Sequence, residues 1–326
     1  MSHQIVYILA IESSCDDTSA AVLRNDEVLS NVIASQKVHE RYGGVVPELA
    51  SRAHQQNILP VVDQAIAQAK ITKDQLTAIA FTKGPGLMGS LLVGVSFAKS
   101  LALGLNIPLI EVNHMQGHLL AHFIKGATHE IPTFPFLGLT ISGGHTQIVE
   151  VHSHFDMKVI GETIDDAIGE AFDKTAKTLG LPYPGGPLVD KYAQQGNPKA
   201  FELPIPNVKE LNFSFSGFKT AVLYFIQKQV ANNPNFIEEN LKDICASIQY
   251  TLVQIIYRKL KKAVKETGIR NIAIGGGVSA NSGIRELMIS CRKKHGWNTY
   301  IPKFEYTTDN AAMIGIMGYY LSLIHI

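Results

Sequence analysis

Hydrophobic and polar positions alternate in short blocks at the start of the chain. Apolar or alternating runs cover residues 5–11, 18–24 and 27–34, and the polar turns ESSCDD and ND separate them. Runs of this length between clusters of Asp, Asn and Ser are typical of strands in an antiparallel meander. We therefore predict that the chain opens with a β-sheet.

Helical periodicity follows this sheet. From Pro47 to about Lys70 the apolar residues recur at helical spacing, and proline suits a first helical turn. A buried strand, LTAIAFT, then leads through the loop KGPG into a second predicted helix from Leu87 to about Leu105. Alternation of strands and helices predicts an α/β fold.

The second half of the chain repeats the plan of the first. Residues 136–151 repeat the strand–turn–strand pattern of residues 7–23, and residues 271–288 repeat the strand–loop–helix pattern of residues 78–95. This repeat predicts a duplicated domain with a cleft between its halves. Chance similarity is the alternative, because identity between the copies is low. We place the lobes at 1–129 and 130–326, with a last helix over 309–323 that closes the cleft.

Composition and charge argue against several classes of protein, including membrane-spanning and disulfide-rich ones. The 326 residues are 46% hydrophobic, enough for two cores, and the net charge of +1 gives no global attraction for nucleic acid. Ser, Lys and Gly interrupt the longest apolar stretches, so we predict no membrane span. With no basic leader at the N-terminus, we expect an unprocessed cytoplasmic protein. Cys15, Cys245 and Cys291 lack CxxC spacing, which argues against disulfides and a thiolate zinc site.

Two glycine loops follow predicted strands, in TISGGHT and IGGGVSAN. A missing Cβ lets backbone N–H groups approach a phosphate, although an ordinary turn is the alternative. Loops at matching places in the two halves would clamp a nucleotide from both sides. Asn281 lies where it can cap the next helix or bind a ribose or base. Neither loop fits the pattern GxxxxGK[ST], which disfavours a P-loop nucleotidase.

Acidic residues are dense between residues 162 and 193. Asp165 is placed to cap a helix, while Asp166, Glu170 and Asp173 lie within two helical turns. One interpretation is a solvated face paired with lysines 174 and 177. The other is recognition of ribose or substrate hydroxyls beside the rigid turn PYPGGP, which presents Gly186 and, beyond it, Asp190.

The segment NHMQGH places His114 and His118 four residues apart. On a helix they differ by about 40° in direction, so both imidazoles can reach one ion. His122 lies about 80° from His114 on the same reckoning and is a poor third ligand. Met115 occupies the position that glutamate holds in HExxH, so the general base of a metalloprotease is missing. Two structural histidines remain the alternative.

Seven motifs occur in order along nearly the whole chain: ESSCDDTSAAV, NHMQGH, SGGHTQ, DDAIGEAFDKTAKTLGLPYPGGP, NFSFSGFKTA, GGGVSAN and TTDNAAMIG. Together they resemble the near-universal tRNA adenosine threonylcarbamoyltransferase family. The resemblance implies an actin-like, sugar-kinase-like fold with two lobes around a nucleotide cleft. It also implies transfer of threonylcarbamoyl from its adenylate to N6 of the adenosine beside the anticodon, in tRNAs that read ANN codons.

The same resemblance implies the site residues. The metal ligands fall on His114, His118 and Asp309, although Asp309 could instead cap the last helix. The substrate contacts fall on Thr140, Ile141, Ser142, Gly143, Gly144, Asp173, Gly186, Asp190 and Asn281. Fe²⁺ is the expected ion, with Zn²⁺ or Mg²⁺ as alternatives, and threonylcarbamoyl-AMP or ATP is the expected nucleotide.

The expected mechanism depends on leaving-group activation, because an exocyclic adenine amine is a weak nucleophile. The metal and glycine loops would hold the adenylate phosphate as AMP leaves. Glu12 and Asp16 would orient the amine or take its proton, although turn formation is an equally good explanation of both residues. A small-molecule kinase and a non-catalytic scaffold of the same fold remain alternatives, but neither accounts for the histidine pair and both glycine loops.

Partners are also implied. For bacterial members these are tRNA, a catalytically inactive paralogue of the same fold and a small ATPase. Two basic runs, residues 257–265 and 291–295, could contact tRNA phosphates, although solvated helix faces are the more common explanation.

Overall fold

The structure, a computed structural model, describes residues 5–325, with side chains up to residue 324. It divides into two compact units. The first comprises the described parts of Met1–Ile131 and Pro302–Ile326, and the second is Pro132–Ile301.

The first unit contains a five-stranded sheet that begins with the predicted meander. Its strands are β1 (Tyr7–Glu12), β2 (Asp17–Arg24), β3 (Glu27–Ser35), β4 (Ala78–Gly84) and β5 (Leu109–Asn113), in the order β3-β2-β1-β4-β5. The first three strands pair antiparallel, and β4 and β5 add in parallel. The carboxyl ends of β1, β4 and β5 therefore meet at one edge of the sheet.

Both faces of this sheet are covered by helices. Helices α1 (Pro47–Ala69) and α2 (Met88–Leu105) match the predicted ones within a residue, and they pack on the face that carries Leu9 and Ile11. The opposite face, which carries Ala10, packs against α9 (Ala311–His325), and a short helix, α3 (His114–Leu120), follows β5 directly. Burial on two faces explains why β1 is a continuous apolar run.

The last helix differs from its prediction. We expected it over 309–323 in a C-terminal lobe that starts at residue 130, but α9 begins at Ala311 and belongs to the first unit. Small residues allow this packing, because a Cβ on Gly318 would lie 2.6 Å from Ala80 Cβ and one on Gly315 would lie 3.2 Å from Ala10 Cβ. The absence of side chains at these two glycines lets α9 pack closely against the first sheet.

Helix α2, with 18 residues, is long and apolar enough to span a membrane by length and composition alone. The interruption of this apolar stretch by Ser, Lys and Gly had predicted no such segment. Four residues of α2 are buried against the rest of the first unit: Ser90, Gly94, Ala98 and Ala102. Length and apolar composition are shared by core helices, so they are weak grounds for a span.

The second unit repeats the plan of the first. Its strands are β6 (Phe136–Ile141), β7 (Thr146–Val151), β8 (Met157–Glu162), β9 (Asn271–Gly275) and β10 (Asn298–Tyr300), in the order β10-β9-β6-β7-β8. An antiparallel meander is again extended by two parallel strands. The same strand order in both sheets confirms the predicted duplication.

Five helices complete the second unit: α4 (Ile168–Thr178), α5 (Gly186–Ala193), α6 (Ser216–Asn232), α7 (Phe236–Thr267) and α8 (Ser282–His295). Asp165 caps a helix, but not the one that follows it. At the start of α4 the side chain that accepts a hydrogen bond from Ile168 N is Thr146, at 2.9 Å. Asp165 Oδ1 instead accepts hydrogen bonds from Phe215 N (2.7 Å) and Ser216 N (3.2 Å) at the start of α6. Sequence spacing alone gives no sign of this long-range cap.

Candidate metal centre and glycine loops

Helix α3 presents both histidines because it starts where β5 ends. Asn113, the last residue of β5, caps the helix by accepting hydrogen bonds from Met115 N (2.9 Å) and Gln116 N (3.2 Å). His114 is thereby fixed in the first turn and His118 one turn later, and both are buried. Their rings meet edge to face at 4.8 Å between centroids.

Asp309 brings a carboxylate to the same place. Its Oδ1 lies 3.2 Å from His118 Nε2 and 3.4 Å from His114 Nε2, and the donor atoms of all three residues lie within 4.8 Å of one another. Metal–ligand distances of about 2.1 Å place neighbouring ligand atoms about 3.0–3.4 Å apart. The two distances from Asp309 Oδ1 to the histidine nitrogens lie in this range, so the three residues could hold one ion. His122 does not belong to this group, in agreement with its predicted direction.

Asp309 is available for this role because its neighbour caps α9. Asn310 Oδ1 accepts a hydrogen bond from Met313 N at 3.1 Å. The alternative that Asp309 is only a helix cap is therefore wrong. The Asp309 side chain is 27% exposed, whereas those of His114 and His118 are almost fully buried, so the group is accessible from the side of Asp309.

The charges around His114 favour a cation at this point. Burial alone would lower the pKa of His114, but the Asp309 and Glu12 carboxylates raise it well above its usual value. Burial lowers the pKa of His118, and Asp309 opposes this shift through a hydrogen bond. The pKa of Asp309 falls well below its ordinary value because the contacts with His114 outweigh its burial. The carboxylates that favour a positive charge on protonated His114 would favour the positive charge of a bound metal ion in the same way.

Glu12 is a buried residue that orients His114. Its Oε2 lies 3.1 Å from His114 Nδ1 and accepts a hydrogen bond from Thr82 Oγ1 (2.5 Å), while Oε1 accepts one from Ser14 N (2.5 Å). A carboxylate only accepts, so Nδ1 carries the proton and Nε2 can bind a metal. The prediction that Glu12 acts on the substrate amine does not fit this full burial.

The turn after Glu12 is held by the two long helices of the first unit. Ser13 Oγ donates to Ser90 O (3.0 Å), and Ser90 Oγ donates to Cys15 O (3.1 Å). His54 Nε2, from α1, lies 2.9 Å from Cys15 O. Ser14, within the turn, places its Oγ 3.2 Å from His114 Nδ1. Helices α1 and α2 therefore fix the backbone that supports the first histidine.

Asp16 lies in the same turn and is partly buried. It is not a member of the group of three ligands. Its predicted role toward the amine stays a prediction.

Both glycine loops lie in the second unit, not in matching places of the two halves. Strands β6 and β9 are parallel neighbours, with Thr140 opposite Gly275, so the loops that follow them lie side by side. A Cβ on Gly276 would lie 2.4 Å from Ile141 O, and one on Gly169 would lie 2.6 Å from Ser142 O. Close backbone packing thus requires both of these glycines.

The first glycine loop leaves space above its backbone. A Cβ at Gly143 or Gly144 would meet nothing within 4 Å. Internal packing therefore does not explain these two glycines, and the open space suits a ligand that approaches the N–H groups. The buried Thr140 Oγ1 has no hydrogen-bond partner among the described residues.

The remaining predicted contacts are tied into the second unit by hydrogen bonds. Asp173 Oδ1 accepts from Gly185 N (2.8 Å) and Gly186 N (2.9 Å), and burial is the main cause that raises its pKa. Asp190 Oδ2 accepts from Ser282 N at 3.1 Å. Asn281 caps α8 through Ile284 N (3.2 Å), which is one of its two expected roles, and donates to Gln249 Oε1 (2.8 Å).

The rest of the acidic segment is structural. Asp166 accepts from Lys174 Nζ (3.2 Å) and Lys219 Nζ (2.7 Å), and Lys174 also pairs with Glu170. The predicted pairing with Lys174 is confirmed for Asp166 and Glu170, but the second lysine is Lys219 and not Lys177. Four residues that support the sites, His54, Thr82, Ser90 and Gln249, were not predicted, because no local motif marks a partner so far away in sequence.

We predict that purified protein holds about one metal ion per chain and that His118→Ala and Asp309→Asn each reduce this content to less than about a tenth. The reason is that two remaining ligands bind an ion far more weakly than three. Metal analysis by plasma mass spectrometry measures the content. His129→Ala, which removes an exposed histidine, should leave it unchanged. A folded His118→Ala protein with full metal content would contradict the assignment.

Comparison with solved structures supports the fold. Full-length HypF, in its phosphate- and nucleotide-bound form, matches with a TM-score of 0.63 and 14% identity, covering 98% of this chain and 47% of HypF. The activator of 2-hydroxyisocaproyl-CoA dehydratase from Clostridium difficile, with bound ADPNP, matches with a TM-score of 0.54 and 14% identity, covering 98% of both chains. The chain therefore has the predicted actin-like, sugar-kinase-like fold.

Sequence comparison identifies the family. The family model for tRNA N6-adenosine threonylcarbamoyltransferase matches residues 27–316. A protein of that name from Christiangramia forsetii is 72% identical over 98% of this chain and 94% of its own length. Another from Cytophaga hutchinsonii is 59% identical over 97% of this chain and 91% of its own length. The chain therefore belongs to the tRNA N6-adenosine threonylcarbamoyltransferase family.

Proposed function

We propose that this protein transfers a threonylcarbamoyl group from threonylcarbamoyl-AMP to N6 of the adenosine beside the anticodon, in tRNAs that read ANN codons. The new bond joins the carbamoyl carbon to N6, the bond from that carbon to the phosphate oxygen breaks, and AMP and a proton leave. The observation that carries the proposal is the His114, His118 and Asp309 group, found in a chain 72% identical to a transferase of that name.

We assign one divalent ion, Fe²⁺, to these three residues. Two imidazoles and one carboxylate suit Fe²⁺ or Zn²⁺ better than Mg²⁺, which prefers oxygen ligands. When bound, the ion supplies positive charge that stabilises a phosphate leaving group. Glu12 keeps the proton on His114 Nδ1 and so holds Nε2 toward Asp309.

The second unit supplies the proposed contacts with the adenylate. Backbone N–H groups of Ser142, Gly143 and Gly144 suit phosphate or carboxylate oxygens, because no side chain shields the two glycines. The Thr140 hydroxyl and Ile141 lie at the end of β6, directly before this loop. The carboxylates of Asp173 and Asp190, with Gly186 and Asn281, suit hydroxyl groups of a ribose or of the threonyl side chain.

Positioning and charge stabilisation account for the catalysis that we propose. The adenine amine is a weak nucleophile, so the enzyme gains most by orienting the acyl carbon and stabilising the departing AMP. Glu12 is fully buried and engaged by Thr82 and His114, which leaves Asp16 as the candidate for orienting the amine or accepting its proton.

The transfer itself tests the proposal. Purified protein, the inactive paralogue, the small ATPase, threonylcarbamoyl-AMP and an ANN-reading tRNA are combined, and the modified nucleoside is quantified by mass spectrometry. We expect His114→Ala to lower the initial rate at least about 100-fold, because the metal ligand and the contact with Glu12 are both lost. His129→Ala should retain the wild-type rate. Full modification by His114→Ala would remove the metal from the mechanism.

We also propose that the inactive paralogue docks on the outer face of α1 and α2. Met88, Leu92 and Leu103 follow one face of α2 at helical spacing, and their exposed fractions are 74%, 56% and 84%. Leu59 of α1 is 63% exposed and borders a pocket of ≈ 290 Å³ between the two helices. Ser96 and Lys99 lie between Leu92 and Leu103 on this face, so its apolar side chains form two groups. Exposed apolar groups of this kind, bordered by polar residues, are typical of a protein interface. A protein that functions in this assembly belongs in the cytoplasm.

We expect the double variant Leu92→Glu and Leu103→Glu to bind the paralogue at least about tenfold more weakly, because the new charges would be buried in the complex. Titration calorimetry of the purified proteins measures the affinity. The double variant Val159→Glu and Ile289→Glu, which changes two exposed apolar residues of the second unit, is the matched control. Equal affinity of the double variant and the control would place the interface elsewhere.

A further inference from the structure

We propose that the tRNA phosphates bind a basic face on α7 and α8. The identity of this partner rests on the proposed function. The basic face consists of six exposed side chains: Arg258, Lys261, Lys262, Lys265, Lys293 and Lys294. All six belong to the second unit.

Helix α7 contributes a stripe of cations. Arg258, Lys261, Lys262 and Lys265 follow one another at intervals of three, one and three residues, which places them on one side of the helix. The opposite side is buried through Ile256, Leu260 and Ala263. The apolar side fixes the helix on the unit, so the cations project outward.

A contact between aromatic residues joins this stripe to the end of α8. Tyr257 Oη lies 2.8 Å from His295 Nε2, and their rings stack with centroids 5.9 Å apart. His295 also lies 5.0 Å from the buried ring of Trp297. Tyr257 directly precedes Arg258, and His295 directly follows Lys294. Two basic runs that are separate in sequence therefore form one surface.

Most of these charges are not neutralised within the chain. Among residues 5–324, Arg258, Lys261, Lys265, Lys293 and Lys294 make no ion pair, and Lys262 contacts Glu266 at 3.6 Å. The lysines around α4 differ, since Lys174 and Lys219 both pair with Asp166. Unpaired cations in a chain with a net charge of +1 point to an anionic partner.

Helix dipoles explain only part of the basic face. Cations in the last turn stabilise a helix C-terminus, which accounts for Lys293, Lys294 and Lys265. Arg258 and Lys261 lie more than one turn before the end of α7 at Thr267, where this effect has faded. Lys259 is a separate case, because its Nζ donates to Val208 O and Glu210 O, both at 2.8 Å. It anchors a loop and is not counted in the basic face.

The proposed partner is the RNA substrate because its backbone carries regularly spaced phosphates. Binding of cations to phosphates releases counterions, so the affinity falls as salt is added. In a plot of the logarithm of the binding constant against the logarithm of the salt concentration, each phosphate contact contributes about 0.7–0.9 to the slope. A positively charged helix face contacts a phosphate backbone without reading its sequence. An acidic membrane would also attract such a face, so it is an outcome of the test.

The test is tRNA binding by the complete assembly with the quadruple variant Lys261→Gln, Lys265→Gln, Lys293→Gln and Lys294→Gln. The dissociation constant is measured by filter binding over a range of KCl concentrations. We expect binding at least about tenfold weaker at low salt, and a salt slope smaller by about 2–3, because several phosphate contacts are lost. A second quadruple variant, with Gln at the exposed Lys158, Lys199, Lys228 and Lys242, matches the change in charge and should resemble wild type.

The outcomes separate this proposal from the proposed function. If wild type modifies tRNA and both variants show the same slope and affinity, the basic face is not the tRNA surface and the proposed function stands. If wild type binds tRNA but transfers nothing to it, the proposed function fails. A variant that loses binding to phosphatidylglycerol vesicles, but keeps its affinity for tRNA, would also overturn the proposal.

Discussion

The contact between Glu12 and His114 is the constraint on which the rest of the candidate metal centre depends. Glu12 ends β1, Thr82 reaches it from β4, and His114 follows directly from β5. These strands are parallel neighbours, so their carboxyl ends bring the three side chains together. A buried carboxylate is costly unless every oxygen has a partner, and Ser14, Thr82 and His114 provide those partners.

This arrangement links the electrostatics of the site to the whole first sheet. Two carboxylates, Glu12 and Asp309, flank the His114 ring, one at each nitrogen. Their combined negative charge raises the pKa of His114 against the effect of burial. Positive charge is therefore favoured beside Asp309, and a metal ion with two imidazole ligands provides it while His114 Nδ1 keeps its proton for Glu12. The packing of α9 matters for the same reason, because it delivers Asp309 to α3.

The sequence predicted those features that depend on local periodicity. Spacing within a single element predicts each of these features: the meander, the helices α1 and α2, the common direction of His114 and His118, and the cap at Asn281. Features that depend on distant partners were missed. Asp165 caps a helix 50 residues away, α9 returns to the first unit, and the two glycine loops meet because β6 and β9 pair. Glu12 was recognised as a candidate, but only its burial shows that it acts through His114.

The affinity of the centre for its metal in Glu12→Gln protein tests the central claim most directly. Glutamine keeps the size of the side chain and removes the charge that holds His114. Competition with a chelator of known affinity gives the dissociation constant, and circular dichroism checks that the fold is kept. The account predicts metal binding weaker by about 10–100-fold. A folded Glu12→Gln protein with wild-type metal affinity would contradict it.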